Sequence, residues 1–134
     1  MNNDRQEEIV ILFELFQRGG KASKARVTAN IICNGYLKPR PQDHATRQGR
    51  ETILVNDLAW ARENLREKGE LSMPACGVWQ ITEKGKERLF RVTKAIFEKQ
   101  PDATWFERYS QKFLDCASAL SERLNESSTM AVAN

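Results

Sequence analysis

The sequence predicts a mainly α fold with one small β-hairpin, arranged as a winged helix-turn-helix carrying an extra long C-terminal helix. Residues 63–86 read ENLREKGELSMPACGVWQITEKGK: a helix stopping at Lys68-Gly69, a short apolar strand, a Pro-Ala-Cys-Gly turn, a second strand and at once a charged helix. Elsewhere, apolar residues recur three and four apart, the period of helices that bury one face. A 134-residue chain with 40% hydrophobic residues and three Trp also has enough apolar side chain for a single core.

Asp4 is a candidate cap for a first helix, with Glu7 three residues on as its capping-box partner. Ile9, Leu12, Phe13 and Phe16 form its inner stripe, and Gly19-Gly20 ends it. Ser23 caps a second helix that runs through Ile32 and stops at Asn34-Gly35, with Val27, Ile31 and Ile32 facing inward. Two prolines, Pro39 and Pro41, bar a helix from the next stretch, so residues 36–50 read as a long loop. The third helix is expected over residues 51–68, with Leu54, Leu58, Ala61 and Leu65 inside and Trp60 packed at the edge of that stripe. Trp79 alternates with Val78 across a strand and also reads as packing. Thr82 caps the fourth helix, whose inner residues are Leu89, Val92, Ile96 and Phe97. Asp102 is expected to cap a fifth helix from Ala103 to about Asn125, with a seam of Phe106, Tyr109, Phe113, Cys116 or Ala117, and Leu120. The division is a winged-helix domain over 1–100, a helix over 101–125 and a disordered tail over 126–134.

Charge is uneven along the chain. Lys21 to Arg50 holds seven basic residues against one acid, 7 − 1 = +6, and Lys84 to Lys99 holds six against two, 6 − 2 = +4; the rest sums to −7. Such a division suits a polyanion on one face of a folded domain. No apolar run is long enough to cross a membrane. The acidic N-terminus is unlike a signal peptide, and three widely spaced cysteines fit a reducing cytoplasm.

Catalysis finds no footing. A nucleophile needs a base within reach, and the one histidine, His44, lies in a polar, basic loop. One histidine without a paired-cysteine spacing gives no zinc site, no phosphate-binding glycine motif occurs, and no cofactor is expected. Cys76 reads as a turn residue.

Binding chemistry gathers before the third helix. In helix-turn-helix folds the second helix of the motif enters the major groove by its N-terminal turn. Arg47, Gln48 and Arg50 would be delivered there, where arginine can grip guanine and glutamine adenine. Asn56, one turn on, either reads a base or ties the loop to the helix. Lys38, Arg40, Arg62 and Lys84 are candidate phosphate contacts, though Arg62 and Arg66 can also pair with neighbouring glutamates. The wing tip Pro74-Ala75-Cys76-Gly77 carries no cation, so it is expected to touch DNA lightly or to pack elsewhere.

Asn56-Asp57-Leu58-Ala59-Trp60-Ala61-Arg62, Lys68-Gly69-Glu70-Leu71 and Gly77-Val78-Trp79-Gln80-Ile81-Thr82-Glu83-Lys84-Gly85 together resemble the N-terminal winged-helix domain of Mrr-type restriction enzymes. The resemblance covers residues 5–92 and implies a DNA-binding module that usually accompanies a nuclease cutting modified DNA. Two departures stand out: Asp57 occupies a position where the family commonly has a basic residue, and a single helix with a tail follows in place of a nuclease. The expectation is therefore a double-stranded-DNA binder without catalysis, with modified bases as an option raised by resemblance alone. The fifth helix would pack on the first or, the preferred reading, form a two-fold dimer. The rival expectation is a protein–protein adaptor, favoured by the uncharged wing tip and the acidic third helix.

Overall fold

The structure, a computed structural model, describes residues 6–38, 46–47, 51–98 and 108–133; at 46–47, 51 and 126–133 it describes the backbone path alone. The proposed caps Asp4 and Asp102, and Phe106 of the expected fifth-helix seam, lie outside these residues.

The first helix, α1 (Gln6–Gln17), is apolar nearly all round. Ile9 to Phe13 and Leu15 are at most 1% exposed. A helix hydrophobic on every side belongs in the middle of a domain, and α1 packs against each of the other layers. Its reversal at Gly19 (φ 81°) and Gly20 (φ 101°) uses left-handed backbone that only glycine takes without strain.

That reversal feeds an element absent from the sequence reading, the strand β1 (Lys21–Ser23). Ser23 then caps α2 (Lys24–Asn34) by accepting a bond from the Arg26 amide, and Gly35 closes that helix in left-handed conformation. Val27 and Ile31 are buried as expected, whereas Ile32 is exposed. Within residues 36–50, read as one loop, Thr46–Arg47 forms β2, which pairs antiparallel with β3 (Glu51–Thr52). Thr52 caps α3 (Ile53–Glu67), its hydroxyl accepting from the Val55 amide, so the helix starts slightly later than expected.

The wing is β4 (Leu71–Ala75) and β5 (Val78–Ile81), with a register irregularity between Ser72 and Ala75. β1 pairs with the other edge of β5, giving a three-stranded antiparallel sheet in the order β1-β5-β4. Thr82 caps α4 (Glu83–Phe97), accepting from the Gly85 amide while donating to the Gly69 carbonyl. Leu89, Val92 and Ile96 are buried, and Phe97 is exposed rather than inward.

The last helix, α5 (Gln111–Ala133), departs most from expectation. Main-chain bonds from Lys38 to the Arg108 carbonyl (2.7 Å) and from Ser110 to the Tyr36 carbonyl (2.9 Å) draw residues 108–110 into an extended pairing with 36–38. The Gln6 side chain accepts from the Arg108 and Tyr109 amides as well. Backbone committed this way cannot be helical, so α5 starts at Gln111, with the Ser110 hydroxyl accepting from the Phe113 amide. At its other end it continues to Ala133, across most of the tail expected to be disordered.

The α5 seam is consumed inside the chain. Phe113 and Ala117 are fully buried and Leu120 nearly so, and the Phe113 ring meets those of Phe13, Tyr36 and Tyr109. The dimer expected on that seam loses its apolar face to α1 and α4. The result is a mainly helical winged-helix fold whose core runs continuously from α1 through the wing and α4 to α5.

Candidate nucleic-acid interface

The start of α3 is fixed from two sides. Thr52 supplies the cap, and pairing of Arg47 with Glu51 and of Thr46 with Thr52 brings β2 to the helix N-terminus. The Arg47 backbone is thereby held near the start of α3, and a helix N-terminus favours anions. Gln48, Arg50 and Arg40 lie outside the described residues. Asn56 is half-buried and already has a partner within the chain.

The remaining predicted contacts divide. Lys38 is exposed, and its backbone is pinned on both sides by Arg108, whose carbonyl accepts from the Lys38 amide and whose guanidinium donates to the Lys38 carbonyl. Lys84 lies at the end of α3, its ammonium donating to the Lys68 carbonyl (2.8 Å), where a cation favours the helix C-terminus. Arg62 is given to packing. Its guanidinium lies 6.0 Å from the Trp79 ring, pairs with Glu63 at 2.7 Å and reaches the Met73 sulfur. Glu63 is further bonded by Arg66, and those bonds hold its carboxyl below the usual carboxylate range. The two tryptophans also divide: Trp79 is buried as expected, but Trp60 is 61% exposed on the outer face of α3.

Three cations were missed as a group. Lys21, Lys24 and Arg26 are all exposed. The β1–β5 register sets Lys21 opposite Gln80 and Ser23 opposite Val78, and the Lys24 amide donates to the Gly77 carbonyl in the wing turn (2.8 Å). The cation-free wing turn therefore sits against the Lys24 backbone, with Lys21 beside β5 and Arg26 in the first turn of α2. The excess charge of that segment was visible in sequence, but its place beside the wing needed the β1 pairing.

Beneath this surface a buried charge network fixes α3, the wing and α4 on α1. The Arg88 guanidinium donates to Glu8 (2.7 Å) and Glu70 (2.6 Å), and Glu8 also accepts from Lys68 (2.8 Å) and from Asn64 (3.4 Å). Burial alone would lower the Arg88 pKa; bonds to the two carboxylates outweigh it and raise it. Gly85 completes the joint, because a Cβ there would stand 2.3 Å from the Glu70 carbonyl oxygen.

The stretches that build this joint, from α1 through the wing into α4, lie within residues 6–91, which match the Mrr N-terminal domain. The chain belongs to the Mrr N-terminal domain family. No curated protein matches it. No solved structure matches it. An Mrr N-terminal domain is a non-catalytic domain of restriction enzymes, which associates the chain with restriction systems. Among its described residues no cluster of His, Cys, Asp or Glu could hold a metal, and no helix is long and apolar enough to cross a membrane. Its three cysteines are free thiols, Cys33 and Cys76 exposed and Cys116 half-buried.

Proposed function

We propose that this chain is a double-stranded-DNA-binding module of a restriction system, with no catalysis of its own. One observation carries the reading: in a chain of this family, a wing lacking its own cation is flanked by exposed Lys21, Lys24 and Arg26. Those side chains would take phosphates beside the wing. Arg47, with Gln48 and Arg50, would meet base edges from the start of α3, while Lys38, Arg40 and Lys84 would add backbone contacts. Arg62 has a packing role first. The dimer is not carried forward, because its seam is buried.

Fluorescence anisotropy on duplexes with and without methylated cytosine, across a salt series, tests the reading. Counterion release gives a slope of about −0.9 per neutralised phosphate. Replacing Lys21, Lys24 and Arg26 together by alanine should flatten the slope by roughly 2 to 3. Absence of salt-sensitive binding at micromolar protein would sink the proposal. A second reading, a protein–protein adaptor, is favoured by one feature: exposed Trp60 borders a small hollow with Glu7 and Asp57, an aromatic and acidic surface unsuited to phosphate.

A further inference from the structure

One flank of α3 carries a surface outside the proposed DNA contacts. Asp57 and Trp60 stand three residues apart and so share a face of the helix. Asn64, one turn beyond Trp60, reaches Glu8 on α1 at 3.4 Å, which turns this flank toward the start of α1. Arg62, on the other flank, reaches Met73 in the wing. The Trp60 flank is therefore the one away from the wing and from Lys24, whose amide meets the wing turn. A hollow of about 220 Å³ opens there, lined among the described residues by Glu7, Asp57, Trp60 and Ala61.

Size and chemistry together select the occupant. A volume of about 220 Å³ falls below the roughly 300–1,000 Å³ of small-molecule sites and suits the head of a single side chain. Among the described residues the lining holds two acids and no base. Trp60 is 61% exposed, so most of it stays open to a partner. Indole is the best aromatic face for a cation, and tryptophan is enriched among the residues that dominate protein interfaces. Glu7 lies 3.5 Å from the Arg108 Nε, longer than a hydrogen bond, and Asp57 has an internal partner as well. A carboxylate offers about four acceptor sites, which leaves room for a further cation. The chain as a whole carries +3, so a cationic partner gains nothing from net charge and is drawn only by a local acidic surface.

We propose that the Trp60 hollow docks a basic segment of a partner protein, an arginine or lysine head lying over the indole and between Glu7 and Asp57. This docking rests on the protein–protein reading and names its partner class. It needs no DNA binding, because the hollow and the wing lie on opposite flanks of α3.

NMR titration of the full chain, read at the Asp57 and Ala61 amides, tests this with two short amidated peptides, one of alternating arginine and glycine, the other of alternating glutamate and glycine. The arginine peptide should saturate with a Kd below about 1 mM, and the glutamate peptide should not bind. Trp60→Ala, at an exposed position, should weaken the arginine peptide about fivefold, the worth of a partly exposed cation–π contact. Asp57→Asn should weaken it about threefold. Unchanged affinity in the Trp60→Ala chain, or no saturation below about 10 mM, overturns the proposal. Binding of the glutamate peptide at these amides would keep a protein-docking face but overturn its basic partner. Trp60→Ala should leave duplex affinity unchanged; a loss assigns the indole to DNA and also overturns the proposal. Absence of duplex binding by the parent chain sinks the DNA reading alone.

Discussion

Arg88→Met isolates the joint on which the wing and α3 depend. The Arg88 side chain is 5% exposed, and one of its nitrogens serves two carboxylates, Glu8 at 2.7 Å and Glu70 at 2.6 Å. Methionine fills much of the volume and removes the charge. Glu8 retains Lys68 at 2.8 Å, but Glu70 loses its ion pair in a buried position. Removing one partner of a buried pair costs about 3–5 kcal/mol, and the Lys68 contact favours the lower end, about 3 kcal/mol. For a chain of this size that is a fall in Tm of roughly 10 °C. Urea unfolding followed by circular dichroism should show a lower midpoint with an unchanged slope. A companion chain with Glu8→Leu, Glu70→Leu and Arg88→Met should recover most of the loss, because an apolar replacement of a whole buried ionic cluster is often neutral or stabilising. Arg88→Met within about 0.5 kcal/mol of the parent would refute the reasoning, since that is the range of ordinary surface changes. A triple variant as unstable as Arg88→Met would refute it too.

Two further outcomes follow, one from the same joint and one from buried Tyr36. Gly85→Ala gains about 1 kcal/mol of helix propensity, yet its Cβ would meet the Glu70 carbonyl at 2.3 Å, an oxygen already held by the Thr82 amide. A net loss of about 2 kcal/mol is expected from overpacking against backbone, and a raised Tm would contradict it. Burial first, and then the nearby Glu14 charge, raises the Tyr36 hydroxyl above its ordinary pKa. A raised pKa on an acid gives stability that is full below the unfolded value, near 10, and lost as pH rises through the folded value. Tyr36→Phe should flatten the decline of Tm between about pH 9 and 11, and parallel curves for the two chains would refute that assignment.

Much of the fold was legible because its signals are local. Ser23, Thr52 and Thr82 each accept from an amide three residues on, a distance any sequence reading can span. The stripes at Val27 and Ile31, at Leu58, Ala61 and Leu65, and at Leu89, Val92 and Ile96 obey the helical period and are buried. The misses are tertiary. Trp60 and Trp79 both looked like packing residues, but Trp60 is 61% exposed while Trp79 is buried. Arg62 carried the charge expected of a phosphate contact, and the fold laid it near Trp79.

The sequence by itself determined the helices, the wing, the left-handed glycine turns and the family, because each is written in neighbours a few residues apart. Tertiary structure alone decided that Lys21–Ser23 is a strand, since its partner is the distant Val78–Ile81 and three residues are too few for an alternating pattern to announce it. It decided likewise that residues 108–110 pair with 36–38 in place of opening a helix, and that the α5 seam is spent within the chain. Buried Glu8 and Glu14 show the same limit: a carboxylate in the core is stable only because cations and amides from other turns or other helices converge on it, and that convergence exists only once the chain is folded.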